Sequence, residues 1–243
     1  MHSCARFYPR PADPPAPATA EDSVRAAIQA YCEAIFDTDR ARALQVVEEA
    51  IARGMTPEQV VFEIVVPSID RVIGELGPAV GGSLAQHFMA AQIAAEITEA
   101  MISRFQRGPE IVGRVVIGNA QGDFHGLGKR VVIGCLKAHL IDVVDLGLNV
   151  APERFVDEAV ARGAQVIGVS SMMVHTARGE HGARAVRRLL RARGLEGRIK
   201  LAVGGAPYRF DPDLYRVVEA DAWAENGLRA AQVIQALIRE VSP

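Results

Sequence analysis

The sequence predicts an α/β domain with a five-stranded parallel sheet, preceded by an all-α helical bundle. Apolar residues recur with helical period from Glu21 to Phe105, and beyond the Gly-Pro break Gln106–Glu110 there are five strand-like runs, each followed by a helix-like stretch. The expected organisation is a Pro-rich tail over residues 1–20, a bundle over 21–105, a linker over 106–112 and an α/β domain over 113–243.

The first half of the chain carries signals for a tail and for helix starts. Five prolines between Pro9 and Pro17 prevent regular hydrogen bonding, so we expect a disordered tail. The breaks within the helical region are Asp37–Asp39, a proline at Pro57 and the glycine-rich turn before Ser83. These breaks predict a bundle of four or five short helices.

The second half alternates between strand-like and helix-like segments. Short connections and right-handed crossovers favour a parallel sheet of flavodoxin-like (Rossmann-like) order 2-1-3-4-5, with helices on both faces. The predicted strands are Val115–Asn119, Asp142–Leu146, Val166–Ser170, Ile199–Val203 and Ala220–Trp223. Ligands of such sheets bind beyond the carboxyl ends of the strands.

Composition narrows the class of protein. The 27 Lys and Arg against 29 Asp and Glu leave no basic excess for a broad nucleic-acid-binding face. Cys4, Cys32 and Cys135 are far apart and form no C-x-x-C pair, which fits a reducing cytoplasm better than a disulfide framework or a thiolate zinc site. We find no apolar run long enough for a membrane span and no secretory signal, so we expect a cytoplasmic protein without a membrane partner.

Three stretches should meet at the carboxyl edge of the sheet: Gly122–Gly128, Ser170–Thr176 and Gly204–Pro207. In the first, a carboxylate two residues before His125 suits an arrangement that fixes the imidazole tautomer and leaves the other ring nitrogen for a metal. The structural alternatives are a surface hydrogen bond for the Asp-x-His pair and a plain turn for Gly204–Gly205.

Two other kinds of site find little support. The first loop has neither G-x-G-x-x-G nor G-x-x-x-x-G-K-[ST], so a nucleotide phosphate cradle is not indicated. A two-component receiver would need clustered carboxylates at the strand ends, and Asp123 alone is well placed.

Together the three stretches resemble the cobalamin-binding domain shared by methionine synthase, corrinoid methyl-carrier proteins and adenosylcobalamin-dependent mutases. The shared pattern is Asp-x-His-x-x-Gly, about forty residues, Ser-x-Leu and Gly-Gly. This chain has Asp123–Gly128, forty-one residues, Ser170–Met172 and Gly204–Gly205. The resemblance covers residues 112–240, and the bundle extends it to the free-standing corrinoid proteins of methanol, methylamine and glycine betaine demethylation.

The resemblance implies a role for each matching residue. His125 would be the lower axial ligand of cobalt, displacing the dimethylbenzimidazole tail of a methyl-, hydroxo- or adenosylcobalamin, and Asp123 would bond the other ring nitrogen. An exchangeable proton on Asp123 would then make ligation depend on redox state. The remaining expected cofactor contacts are Phe124, Gly126, Leu127, Gly128, Ser170, Met172, Val174, Gly204 and Gly205, of which Gly128 and the Gly-Gly pair leave room for the tail and Ser170 bonds its base.

Two positions depart from the family pattern. Met172 replaces a leucine of similar volume. Val174 stands where methyl carriers often have threonine, so a polar contact to the corrin or its tail would be missing.

The resemblance also implies that the bundle caps the upper face of cobalt through the segment 84–89, with His87 and Phe88 facing the corrin. The structural alternatives are an exposed helical position for His87 and bundle core for Phe88. Of the other histidines, His175 should be solvated, and His139 and His181 should lie on helices without an identified partner. Trp223 should pack under the last strand.

The function implied first is a corrinoid protein whose cobalt carries a methyl group from a substrate-specific methyltransferase to an acceptor methyltransferase, with a reductive activator as a third partner. It would be non-catalytic alone, or the corrinoid subunit of a methyltransferase system, and residues 106–110 would be its hinge. The alternative is a cobalamin-dependent light or cofactor sensor that acts through a protein partner. The photoreceptors that such a sensor would resemble usually have a tryptophan facing the adenosyl group, and this chain has Gly77 near that position. A flavodoxin-like binding module without cobalamin is a third possibility.

Overall fold

The computed structural model describes residues 20–75, 83–105 and 111–241. Residues 1–19 of the predicted tail, the turn before Ser83 and residues 106–110 of the predicted linker lie outside these ranges, so the predictions made for them stay predictions. In the described part, the bundle region has four helices, as the breaks predict. They are α1 (Ala20–Phe36), α2 (Arg40–Ala52), α3 (α-helical Pro57–Gln59, π-helical Val60–Val65 and α-helical Val66–Glu75) and α4 (Leu84–Ile102).

The predicted breaks supply the helix caps. The Asp39 side chain accepts a hydrogen bond from the Arg42 backbone N–H at 2.9 Å, which caps α2. Thr56 and Gln59 form a reciprocal capping box at the start of α3, where Pro57 occupies the first turn. Ser83 caps α4 in the same way, through Gln86.

The π-helical segment of α3 has a local cause. Pro67 has no N–H to donate to the carbonyl of Glu63, and its ring collides with that carbonyl in a regular α-helix. The preceding residues Val60–Val65 adopt the wider π turn instead, in which the Val66 N–H bonds to the Val61 carbonyl. Val60, Val61, Ile64 and Val65 all remain buried in this segment, so the widened turn still packs in the core.

The α/β domain has the predicted parallel sheet, in the order β2-β1-β3-β4-β5. The strands are β1 (Gly113–Asn119), β2 (Ile141–Asp145), β3 (Val166–Ser170), β4 (Lys200–Gly204) and β5 (Ala222–Ala224). The helices between and after them are α5 (Leu127–Ala138), α6 (Pro152–Arg162), α7 (Val174–Arg178), α8 (Ala183–Ala192), α9 (Ala206–Phe210), α10 (Leu214–Val217) and α11 (Gly227–Val241). The third strand matches its prediction to the residue.

The last strand begins two residues later than predicted. Glu219 has a positive φ of 59°, and the Ala220 N–H donates to the Tyr215 carbonyl at 2.8 Å. These contacts hold the end of the α10 turn, so regular pairing with β4 starts only at Ala222. Trp223 was expected to pack under the last strand, but it lies within that strand, β5, and its side chain is partly buried against the core on one face of the sheet.

Alternate residues of each strand face two different cores. Val115 and Ile117 of β1 join a core that runs from the sheet through α5 and α11 into the bundle. Val116 joins a second core beneath α6 and α8 on the opposite face. The bundle therefore packs on the α5–α11 layer rather than directly on the sheet.

The contact between the bundle and the α/β domain is close. A Cβ added at Gly134 of α5 would lie 2.9 Å from the Ala91 carbonyl oxygen of α4, so glycine permits this helix crossing. At the end of α5, His139 Nε2 lies 3.0 Å from Asp70 Oδ1 of α3, and Lys137 pairs with Glu99 of α4.

Two of the histidine predictions are therefore wrong. His139 caps the end of α5 instead of lying within it, and it has two partners, Asp70 and the Cys135 carbonyl at 2.7 Å. His181 lies in the turn between α7 and α8 rather than on a helix. The partner of His139 is 69 residues away in sequence, so no local pattern indicates it.

The His139–Asp70 pair predicts a pH-dependent stability. Burial alone would lower the pKa of His139, but the hydrogen bonds to Asp70 and to the Cys135 carbonyl, with the Asp70 charge, raise it above its ordinary value. The ion pair stabilises the fold fully below the unfolded pKa of about 6.5 and is lost as the pH rises through the higher folded pKa.

We expect Asp70→Asn to lower the free energy of unfolding by about 1–3 kcal/mol in weakly acidic buffer and to remove most of this pH dependence. Urea titrations from about pH 6 to about pH 9 would measure both effects. Glu99→Gln is the matched control, because it removes an exposed pair from the same interface without a histidine. An unchanged pH profile in Asp70→Asn would contradict the assignment.

No helix in the described part of the chain is long and apolar enough to span a membrane.

Candidate functional site

The loop after β1 is organised by one fully buried carboxylate. Oδ1 of Asp123 accepts hydrogen bonds from the His125 backbone N–H at 3.0 Å and from His125 Nδ1 at 3.1 Å. Oδ2 accepts from the Met172 backbone N–H at 2.6 Å and lies 2.9 Å from the Thr176 hydroxyl. The residue thus joins the first loop to the loop after β3, as parallel strand ends at one edge allow.

The hydrogen bonds favour the ionised form of Asp123 and place a proton on Nδ1 of His125. Burial alone would raise the pKa of Asp123, but the N–H groups of His125 and Met172, the Thr176 hydroxyl and the His125 ring together hold the pKa below its usual value. An ionised carboxylate can only accept, so Nδ1 of His125 carries a proton, and in the neutral imidazole Nε2 is then the nitrogen with the lone pair. This arrangement opposes the proton switch expected at Asp123, because protonation would disrupt these bonds.

Nε2 of His125 is the available metal-ligating atom of this loop. The His125 side chain is 57% exposed, whereas Asp123 behind it has no exposure. Within residues 20–75, 83–105 and 111–241, no group of three or more His, Cys, Asp and Glu side chains is arranged to hold a metal ion. A single oriented imidazole suits a metal whose other ligands come from a macrocycle.

Three further residues fix the loop after β1 and the start of α5 in place, and the sequence analysis predicted none of them as site residues. Asn119 Nδ2 donates to the His125 carbonyl at 3.1 Å, and Asn149 Oδ1 accepts from the Gly122 N–H at 2.8 Å. Lys129, 3% exposed, reaches the Asp145 carboxylate and the Gly147 carbonyl, so it fastens the start of α5 to the end of β2. Lys129 directly follows Gly128, a predicted cofactor contact. This position was the only feature of the local sequence that could have indicated a role for Lys129 in the site.

A cleft of about 300 Å³ lies between His125 and the sheet face that α5 and α11 cover. It brings together His87, His125, Gly128, Ser170, Met172, Gly204 and Gly205 of the predicted residues. The other lining residues come from the strands, from α5, α9 and α11, and from the loops at the sheet edge: Ile117, Lys129, Val131, Val132, Gly168, Val169, Ser171, Ala202, Val203, Ala206, Arg209, Ala224, Glu225, Asn226, Gly227, Ala230, Val233 and Ile234.

The cleft exists because the sheet has small residues where side chains would otherwise fill it. Gly168 of β3 pairs with Ala202 of β4, and Gly204 of β4 pairs with Ala224 of β5. A Cβ added at Gly128 on α5 would meet no atom within 4 Å. With valine and isoleucine along the helix side, the space suits a flat, largely apolar group, and Ser170 offers it a hydroxyl.

Gly205 forms the turn that ends the fourth strand. Its φ is 113° and its ψ is 177°, a conformation that only glycine adopts readily. A Cβ there would lie 1.9 Å from the Ser171 carbonyl oxygen. The second glycine of the predicted pair is therefore required by the backbone, while the first, Gly204, faces the cleft.

The other predicted residues lie around the cleft and do not line it. Phe124, Leu127 and Val174 are 65%, 43% and 57% exposed at the rim. A Cβ at Gly126 would lie 2.9 Å from Leu148, so that glycine keeps two loops close. Phe88 packs partly buried against the bundle core, as its structural alternative proposed.

His87 is the predicted bundle residue that reaches the cleft. Its Nδ1 lies 3.0 Å from the Ser83 carbonyl, which can only accept, so Nδ1 carries the proton and Nε2 is free. His175 is exposed on α7, in agreement with its prediction.

A larger groove of about 680 Å³ lies in the bundle between α1, α2 and α3, and none of the predicted site residues lines it. We assign the functional site to the smaller cleft because the oriented imidazole and the small-residue floor converge there. Volume alone does not identify a site.

Comparisons with known proteins identify related domains and folds. Two family models match, each described as a B12 binding domain, one over residues 113–232 and the other over residues 27–101. The chain is 29% identical over 212 residues to trimethylamine corrinoid protein 1 of Methanosarcina acetivorans, which covers 85% of this chain and 94% of that protein.

Solved structures share the fold. The crystal structure of a cobalamin-binding protein from Desulfitobacterium hafniense matches with a TM-score of 0.71 and 21% identity, over 86% of this chain and 98% of that one. The methanol:cobalamin methyltransferase complex MtaBC from Methanosarcina barkeri matches with a TM-score of 0.70 and 23% identity, over 92% of this chain and 86% of that one.

Proposed function

Because the chain belongs to the family of cobalamin-binding corrinoid proteins, we propose that it carries a methyl group between partner methyltransferases, on a cobalamin bound with His125 in place of its own base. The oriented imidazole above the glycine- and alanine-floored cleft is the observation on which the proposal depends. The names of the trimethylamine corrinoid relative and of the methanol:cobalamin methyltransferase complex support a methyltransferase system as its setting.

The protein's own groups would set ligation and access. Asp123 holds the proton on Nδ1 of His125, so that Nε2 points its lone pair away from the loop. Gly128, Gly168 and Gly204 leave room for the nucleotide tail between the sheet and α5, and Ser170 offers its base a hydrogen bond. The bound cobalt supplies the methyl-accepting and methyl-donating chemistry.

The bundle would control which molecules reach the cobalt. His87 lines the cleft from α4, its Nδ1 lies 3.0 Å from the Ser83 carbonyl, and it would be the bundle residue that helps to hold the cofactor. The pairs Asp70–His139 and Glu99–Lys137 hold the bundle on α5. Separation of these contacts is the step that would admit a methyltransferase or a reductive activator.

Labelled methyl donors test this function. The protein is loaded with hydroxocobalamin, reduced, and incubated with an extract of the source organism and radiolabelled mono-, di- or trimethylamine or methanol. We expect label on the protein-bound corrinoid with one donor class and its loss when a thiol acceptor is added. If no donor labels the corrinoid, and green light changes the absorbance and oligomeric state of protein loaded with adenosylcobalamin, the sensor alternative replaces the carrier.

A further inference from the structure

Arg209 is a guanidinium at the edge of the cleft without a carboxylate partner. It lies on α9 directly after the Gly204–Gly205 turn, and its side chain lines the cleft. Within the described ranges no hydrogen bond or ion pair joins it to another residue. Arg209 is exposed, so its five N–H donors are available to a ligand at the cleft.

The acidic residues nearest to Arg209 in sequence are already paired. Asp211 accepts a hydrogen bond from Arg178 at 2.8 Å, and Asp213 pairs with Arg216 at 2.5 Å. Neither carboxylate neutralises the Arg209 charge. The positive charge is thus available to a ligand.

The other basic groups of the cleft have protein partners. Lys129 bonds to Asp145 and to the Gly147 carbonyl, and His125 and His87 bond to Asp123 and to the Ser83 carbonyl. On the acidic side, Glu225 lies at the cleft edge, while the neighbouring Asn226 accepts from the Arg229 N–H. Among the basic residues that line the cleft in the described structure, Arg209 is therefore the one whose N–H groups have no hydrogen-bond partner in the protein.

The ligand chemistry fits this position. In a cobalamin, a ribose and a phosphodiester join the base of the tail to the corrin. If the base enters the cleft and the corrin lies over His125, the phosphodiester passes the cleft edge between them. A guanidinium fork matches phosphate oxygens in a bidentate arrangement.

We propose that Arg209 binds the phosphodiester of the nucleotide tail, so that the protein selects corrinoids that carry a complete tail. The inference rests on the proposed function, in which that tail occupies the cleft. Arg209 would act as a specificity-determining residue, because it touches a part of the cofactor that takes no part in methyl transfer. Its role is separable from that of His125, which touches the metal.

Binding titrations of hydroxocobalamin and of cobinamide, which has neither the phosphodiester nor the base, test the proposal. We expect Arg209→Gln to weaken cobalamin binding about tenfold, equivalent to about 1.4 kcal/mol, without changing cobinamide binding. Arg209→Lys should retain part of the preference. Arg216→Gln is the matched control, since it removes an exposed arginine from the adjacent helix α10.

Three results would overturn the inference. Equal cobalamin affinities for Arg209→Gln and Arg216→Gln would remove the role of Arg209 while leaving the proposed function in place. Equal losses for cobalamin and cobinamide would place Arg209 at the corrin or in the fold, and thermal unfolding of the unloaded variant identifies a folding defect. A wild-type spectrum with the cofactor's own base on cobalt would overturn the proposed function together with this inference.

Discussion

Gly205→Ala is expected to lower the free energy of unfolding by at least about 3 kcal/mol and to abolish corrinoid uptake. The added Cβ would lie 1.9 Å from the Ser171 carbonyl oxygen, at a φ of 113° that side-chain-bearing residues rarely adopt. Relief would require β4 to move away from the loop after β3, and that loop supplies the Met172 N–H to Asp123. Urea unfolding and a cobalamin titration would measure the two effects.

Gly204→Ala is the matched control for that prediction. The nearest atom to its added Cβ would be the Ala224 carbonyl oxygen at 3.4 Å, an ordinary contact. We expect the unloaded protein to change in stability by less than about 1 kcal/mol. The methyl group would enter the cleft, so cobalamin affinity should fall about tenfold. Similar stabilities for the two variants would contradict the backbone argument for Gly205.

His125→Ala is expected to reduce cobalamin affinity by about a hundredfold or more and to leave the cobalt of any bound cofactor without a protein ligand. Loss of groups that only orient a metal ligand typically costs about 10–100-fold, and removal of the ligand itself should cost at least as much. The fold should be retained because the imidazole is 57% exposed. Absorbance spectra of the loaded protein and a binding titration would show the change.

The control for His125→Ala is His175→Ala, which removes an exposed imidazole from α7 near the same edge of the sheet. It should bind cobalamin like the wild type. Unchanged affinity and spectrum in His125→Ala would support the flavodoxin-like binding module instead. Thr176→Val should give a cobalamin affinity between those of His125→Ala and His175→Ala. It removes one hydrogen-bond donor to Asp123 and leaves the ring of His125 in place.

The sheet could be predicted from sequence because its signals are local. Val166–Ser170 is bounded on both sides by turn residues, and the β-branched run itself fixes its length. The strand order then follows from short parallel connections. The fifth strand begins later than predicted because Glu219 has a positive φ and the Ala220 N–H donates to the Tyr215 carbonyl, which extends the α10 turn. A left-handed residue that is not glycine leaves no periodic pattern in the sequence.

The site was predictable in part for a similar reason. Asp123 and His125 are two residues apart, a spacing that suits an oriented imidazole and also a plain surface hydrogen bond. The order of the three stretches, rather than this pair alone, favoured the first of these. Thr176 and Asn149 reach the same loop from 53 and 27 residues away, through partners that only the folded sheet brings together. For Phe88 the sequence left two environments open. Helical period places Phe88 on an apolar face of its helix, but it does not show whether that face contacts the cofactor or the bundle core.

The identity of the cobalt ligand can be measured directly with isotope-labelled protein. Wild-type protein is produced with ¹⁵N-histidine, loaded with unlabelled cobalamin and reduced to the cobalt(II) state for electron paramagnetic resonance. If Nε2 of His125 coordinates the metal, the nitrogen splitting of each cobalt line changes from three components to two, because ¹⁵N has spin one half. A three-component splitting that ¹⁵N-histidine leaves unchanged would show that the cofactor keeps its own base, and would contradict the account.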